Sequence, residues 1–282
     1  MSRRRELLGH IERLGEIGEL LGAMRSLALA ESRRIATFID AQRETAAVVR
    51  EAYGHLLRDH GASLADPTMA GEVICVIGSE RGFCGDLNRR LADDALGHVR
   101  DPATRWLLVG SRLADAWPEQ APAPVARLEG AGIADEVLGV QAALVAALTP
   151  LLSASGAPLP AMTVHAAGAD GITRTRLLPV PDEALPPAPS AYPVDLQLAP
   201  HALHAALLDQ YLDVSLAGVL LEALLHENEQ RLAHMERARR SVDERLDALA
   251  RRANRARQEE ITEEIEVILL ASQPEPATDT SD

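Results

Sequence analysis

Two long stretches without proline, one at each end of the chain, restrict the fold more than any other feature of the sequence. From Ser2 to about Arg58 apolar residues recur at Leu7, Ile11, Leu14, Ile17, Leu20, Met24, Leu27, Ile35, Ile39, Val49, Tyr53 and Leu56. Intervals of mostly three and four place them on one stripe of a helix. The second stretch runs from His201 to Ser272 between Pro200 and Pro274, with Gly218 its only glycine. At 1.5 Å per residue such a helix approaches ~100 Å. Its residues Leu225, Leu232, Met235, Val242, Leu246, Leu249, Ala253, Ala256, Ile261, Ile265 and Ile268 keep a heptad-like seam with Arg and Glu between them, the mark of a coiled coil. Gly9, Gly15, Gly18 and Gly22 each weaken an isolated helix by about 1 kcal/mol relative to Ala, so the first helix needs a partner. The two stripes have each other to bury against, and an antiparallel hairpin of the two ends follows.

Between them the pattern alternates. Glu72 to Gly78 is an apolar, β-branched run; Asp86 to Arg100 has helical spacing; Arg105 to Gly110 reads as a strand, Ile133 to Leu152 as a helix, Met162 to Ala167 and Thr173 to Val180 as strands. The fold class is therefore α/β: a long antiparallel coiled coil of N- and C-terminal helices plus a small central domain with a mostly parallel sheet. The boundaries are a helix over 1–60, a Rossmann-like domain with its linker over 61–200, a helix over 201–272 and a disordered tail over 273–282. Pro179 to Pro200 is the proline-rich linker.

Composition narrows the function. Aromatic residues are 2% of the chain, so the core is built from Leu, Ala, Val and Ile, as in a largely helical protein. A net charge of -14 repels a phosphate backbone or an anionic bilayer, which excludes nucleic acid as a partner. Every basic side chain other than histidine is Arg. Cys75 and Cys84 have neither metal-ligand nor disulfide-framework spacing, and a reducing cytosol fits. No run of about 18 apolar residues is evident, so no direct membrane insertion is expected.

Nothing in the chain is arranged for catalysis. Gly78, Gly82 and Gly85 in GSERGFCG follow a strand and open a helix, where a phosphate-binding loop would sit, but the Walker lysine and the dinucleotide glycine spacing are missing. A tight turn is the simpler reading. The nine histidines lack a ligand arrangement, Ser79 and Ser111 lie in no nucleophile elbow, and Glu259, Glu260, Glu263, Glu264 and Glu266 fit a solvated helix face. No catalytic residue, metal or cofactor is expected.

Three segments, in order, resemble the gamma subunit of bacterial F-type ATP synthases. GAMRSLALAESRR (Gly22 to Arg34) is similar to that family's Ala-Met run. GSERGFCGDLN (Gly78 to Asn88) is similar to its Asp-Arg-Gly-Leu-Cys-Gly-Gly-Leu-Asn motif at Arg81, Gly82, Cys84, Gly85, Leu87 and Asn88. NRARQEEITEEI (Asn254 to Ile265) matches a C-terminal motif at Asn254, Ala256, Arg257, Gln258, Ile261, Thr262, Glu264 and Ile265. Asp86 stands where the family has glycine, Glu16 to Gly22 replaces the usual polar and basic run, and Glu236 to Val242 differs from the commoner pattern. These departures read as a divergent bacterial branch, the alternative type proposed to pump sodium being one form of it.

The resemblance implies a non-catalytic rotor shaft coupling ion translocation to ATP synthesis or hydrolysis. Its implied partners are a ring of three alpha and three beta subunits, an epsilon subunit and the membrane c-ring, and its implied place is the cytoplasmic face of the bacterial inner membrane. It assigns Arg257, Gln258, Thr262 and Glu264 to contact with a beta-subunit loop, and Met24 and Arg25 to contact on the N-terminal helix of the shaft. Residues alone also allow a coiled-coil scaffold carrying an α/β module, or a nucleotide-dependent enzyme using the Gly78 loop.

Overall fold

The structure, a computed structural model, describes residues 3–64, 71–99, 101–152, 159–169, 171–181 and 195–271. The 273–282 tail and most of the proline-rich linker lie outside these residues. Helix α1 (Arg3–Leu64) and helix α5 (Pro200–Ala271) are the two long elements, of 62 and 72 residues. Between them come β1 (Glu72–Ile77), α2 (Leu87–His98), β2 (Arg105–Val109), α3 (Ser111–Ala116), β3 (Ala126–Leu128), a 3-10 turn (Ala134–Glu136), α4 (Val137–Leu152), β4 (Ala161–Gly168) and β5 (Gly171–Leu178). The chain divides into two compact units, Met1–Ser26 with Met235–Asp282, and Leu27–His234.

In the first unit α1 and α5 pack through Leu14, Leu21 and Met24 against Met235, Ala238, Val242 and Leu246. Here the structure corrects the apolar stripe expected on the first helix. Ile17 and Leu20 are exposed, and the seam runs through Gly18, 3.6 Å from Val242 Cγ1 measured from where a Cβ would sit, and Leu21, which is buried. Steps of three residues fall short of the 3.6-residue turn, so Leu14, Ile17 and Leu20 drift off the line that Leu14, Gly18 and Leu21 hold. Leu27, in the second unit, is exposed for the same reason, and Ala28 is buried in its stead.

A second correction concerns the far end of α5. Ile261, Ile265 and Ile268 were expected on the seam, but they are 45%, 52% and 66% exposed. The antiparallel partner ends there: Arg4, one residue into α1, already pairs with Glu260 at 3.7 Å. Ala253 and Ala256 are the last buried seam residues among the described residues.

Gly9 and Gly15 have nothing within 4 Å of a Cβ built on them. Replacing both with Ala therefore relieves a helix-propensity cost of about 1 kcal/mol each without a clash. The urea midpoint of the full chain is expected to rise, and an unchanged or lowered midpoint would show that these positions need glycine.

The second unit has three layers. Its sheet has the order β3-β2-β1-β4-β5, parallel except for the antiparallel β4–β5 pair. Alternate residues face opposite sides. Val73, Cys75, Ile77, Leu107, Val109, Met162 and Val164 meet Ile35 and Ile39 of α1, the buried face of α4, and Leu216, Leu220, Leu221 and Leu224 of α5. Ile74, Val76, Trp106 and Leu108 meet α2 and α3 through Leu87, Leu91, Ala95 and Leu113. Sequence periodicity missed β3 and α3, which are three and six residues long, too short to show a period.

The segment from Ala134 to Leu152 is long enough and on average apolar enough to cross a membrane by length and composition, although Asp135, Glu136, Gln141 and Thr149 interrupt it and no unbroken run of about 18 apolar residues is present. In the fold its Val137, Val140, Leu144 and Leu148 are buried in the main core, as in a core helix of a globular domain. Gln141 ties it to α5 by donating to Asp213 Oδ1 at 2.6 Å.

Candidate functional site

The loop between β1 and α2, which holds the central motif, is tightly held. Gly78 ends β1 where a Cβ would lie 2.5 Å from Leu113 Cβ and 2.6 Å from Asn88 Oδ1, so no larger residue fits. Asn88 closes the loop: its Oδ1 accepts from Ser79 N at 2.9 Å and its Nδ2 donates to Ser79 Oγ at 2.8 Å. Phe83 and Gly85 take positive φ, 66° and 63°. That conformation suits Gly85 and strains Phe83, whose ring stays half exposed.

Loop and helix meet through a buried polar cluster. Glu227, Asn228 and Arg231 of α5 are 4%, 2% and 6% exposed. Arg231 donates from NH2 to Glu227 Oε1, from NH1 to Asn228 Oδ1 at 2.5 Å and from Nε to the Gly82 carbonyl at 3.2 Å. Cys84 Sγ lies 3.5 Å from the Gly82 carbonyl and 3.9 Å from Glu227 Oε1. Burial raises the Glu227 carboxyl to about 7 against the pull of Arg231 and of the Arg81 and Glu80 amides. Burial, then the Glu227 charge, also raises the Cys84 thiol, which makes it a packing group and no nucleophile. The chemistry of this site is attachment.

Glu80 lies beside the glycine turn and turns its carboxylate on the neighbouring loop amides. Its Oε2 accepts from the amides of Ser111 at 2.9 Å and Gly130 at 2.7 Å, and its Oε1 from Ser111 Oγ at 2.7 Å. Those amides follow β2 and β3, at the carboxyl ends of the strands where a phosphate would bind in an open parallel sheet. The chain's own carboxylate occupies them. Burial alone would raise Glu80, but the Ser111 and Gly130 amides outweigh it and leave its pKa lowered.

Of the motif residues, Cys84 and Leu87 are buried, Arg81 and Gly85 are exposed, and Gly82 and Asn88 are intermediate. The structure thus brings Gly82, Cys84 and Asn88 into one bonded loop. Glu227, Asn228 and Arg231 were missed by sequence reasoning. The available signal was polar residues at Asn228 and Arg231 on the stripe that continues Leu224 to Met235 at intervals of four, three and four.

The remaining site residues lie in the first unit. Met24 packs in the seam with Leu21 and Met235, and Arg25 Nε pairs with Glu236 at 3.2 Å. Arg257, Gln258, Thr262 and Glu264 are exposed, and Thr262 Oγ1 donates to the Gln258 carbonyl at 2.9 Å. Ile261 and Ile265 do not seat this stretch against α1.

Another charged cluster ties α2 to the sheet edge. Asp94 accepts from His165 Nδ1 at 2.9 Å and from Arg174 Nε at 3.0 Å. The Arg174 hydrogen bonds, then those of His165, hold its carboxyl down at about 2. A depressed carboxyl contributes stability that is fully present above its unfolded value near 3.9 and is lost as pH falls toward the folded value. Unfolding midpoints measured from pH 5 to 2 are expected to drop more steeply for the parent chain than for Asp94→Asn; equal slopes would remove this ion pair from the account.

A family model described as ATP synthase matches residues 3–272. No curated protein matches the sequence. Among solved structures the chain resembles the rotor of the Euglena gracilis mitochondrial ATP synthase (15% identity, 92% of this chain and 98% of that one, TM-score 0.55). It also resembles a chain of the Tetrahymena thermophila mitochondrial ATP synthase central stalk and c-ring (14%, 78% and 99%, 0.56). A chain of the Euglena OSCP/F1/c-ring assembly gives 14% identity, 99% and 98% coverage and a TM-score of 0.61.

Proposed function

Since this chain belongs to the F-type ATP synthase gamma family, we propose that it is the central rotor shaft of a rotary ATP synthase. The observation that carries the reading is the family match over nearly the whole chain, joined to a fold in which long terminal helices pack on each other and on a mostly parallel sheet. It is a non-catalytic subunit, peripheral to the membrane on the catalytic side of the complex. Its partners are the alpha and beta subunits of the head, the epsilon subunit and the c-ring. Placement at the cytoplasmic face of a bacterial inner membrane is part of the proposal.

A shaft works through shape and charge: an asymmetric coiled coil presents different faces to the catalytic sites around it and biases each toward a different conformation. In this reading residues 1–60 and 201–272 form the shaft and 61–200 the domain beside epsilon and the ring. Arg257, Gln258, Thr262 and Glu264 contact a beta-subunit loop, and Met24 and Arg25 belong to the shaft's N-terminal contact. The buried cluster of Glu227, Asn228 and Arg231 joins the sheet to α5, so that force on one reaches the other.

Affinity purification of the tagged full chain is expected to recover alpha and beta subunits in equal numbers, with one copy of this chain per ring. The chain alone is expected to hydrolyse no ATP, having no Walker lysine. Robust hydrolysis by the lone chain, or recovery without alpha and beta, would reject the shaft.

A further inference from the structure

We propose that a cleft between α1, β5 and α5 is a binding site for the phosphate group of a small organic phosphate. The cleft encloses about 400 Å³, within the 300–1,000 Å³ usual for small-molecule sites, and Ile39, Val214 and Val219 give it an apolar wall. Arg43 and Arg50 lie two helical turns apart on α1, and so on one face, and both line it. Their situations differ. Arg43 is neutralised by Glu222 at 3.4 Å and faces Asp40 at 3.9 Å. Arg50 is half-buried and makes no ion pair among the described residues, and its Nε is buried with no hydrogen-bond partner.

Opposite, α5 presents Tyr211, Ser215, Gly218 and Glu222 at intervals of four, three and four. The Ser215 hydroxyl is buried beside the Tyr211 phenol without a hydrogen bond of ordinary geometry. Arg50 from α1 and Ser215 from α5 thus each bring to the lining of one cleft a side chain whose polar group is incompletely satisfied within the chain. Tetrahedral oxygens suit donors that arrive from two directions, and a guanidinium is the side chain matched to phosphate. Arg174 and Arg176 of β5 also line the cleft. Arg174 is taken by Asp94, whereas Arg176 has no ion pair among the described residues.

Gly218 carries the second, independent observation. It is the only glycine of α5, where alanine would be the better helix former. A Cβ there would meet nothing within 4 Å. Packing does not demand the glycine; its missing side chain keeps the cleft open.

The test is calorimetric titration of the full chain with inorganic phosphate and with phenyl phosphate, at an ionic strength held constant with chloride. The expected result is one saturable site per chain, tighter for phenyl phosphate because of the apolar wall. Arg50→Gln is expected to weaken it at least tenfold. Gly218→Leu, which fills the cleft while improving helix propensity, is expected to abolish it with the unfolding midpoint kept or raised. Non-saturable uptake, or undiminished binding in either variant, overturns the proposal; should Arg50→Gln fail to fold, Gly218→Leu decides alone.

Discussion

Arg231→Ala is expected to destabilise the chain by about 3–5 kcal/mol, the cost of breaking a buried ion pair by removing one partner. Three groups lose a donor at once: the Glu227 carboxylate, the Asn228 amide oxygen and the Gly82 carbonyl. Glu227 then loses the guanidinium that holds its pKa down, in a site whose burial already raises it to about 7, and must either stay charged without a partner or take up a proton. The comparison that isolates the mechanism is Glu227→Gln with Arg231→Met. Gln still accepts from the amides of the β1–α2 loop, Met fills the stem volume, and no charge is stranded. That double variant is expected to fall close to the parent in chemical denaturation. If Arg231→Ala costs no more than an exposed arginine such as Arg89 does, the cluster does not hold the loop to the helix.

The second large effect concerns coupling and rests on the proposed contact at the end of α5. Arg257 and Gln258 are adjacent on the helix, so their side chains point about 100° apart and can reach neighbouring groups of one loop. Neither has a side-chain partner among the described residues, so both remain available to another subunit. Replacing both with Ala removes about 2–4 kcal/mol of charge-assisted hydrogen bonding if a partner loop is engaged, and almost nothing if that face meets only water. The expected outcome is an assembled catalytic head with markedly lower ATP synthesis or ion pumping per complex. Because Ala256 and Ala253 hold the seam and are untouched, loss of assembly is not expected. Wild-type coupling and hydrolysis in the double variant would remove these two residues from the contact and leave the shaft standing.

The long elements were legible because each advertises itself over dozens of residues: absence of proline, spacing of three and four, and Pro200 at the start of α5. The strands were legible as short β-branched runs ended by glycine. What escaped was of another kind. Gly18 looks like a defect in a helix and is a seam position, because a pattern built from apolar letters has no symbol for contact made by a missing side chain. Ile265 and Ile268 continue the period perfectly well, but a period does not say where the partner stops. The motif loop was readable as a string, whereas its attachment was not: Glu227 and Arg231 lie more than 140 residues away in sequence, and only the fold brings them to Gly82 and Cys84.

The bare end of α5 has a bearing on how this chain must be handled. Ile265, Val267 and Ile268 are each exposed by more than half, and apolar surface of this kind favours contact with whatever apolar surface is offered, at about 25 cal/mol per Å² removed from water. A shaft segment of this sort is only conditionally soluble. Expressed without partners, the chain is expected to compete with itself for that surface, self-association growing with concentration; under the proposed contact at the end of α5, production alongside the head is expected to cover the same surface. The subunit ratio in the expressing cell, more than the sequence of the shaft, then sets whether the chain accumulates as rotor or as aggregate.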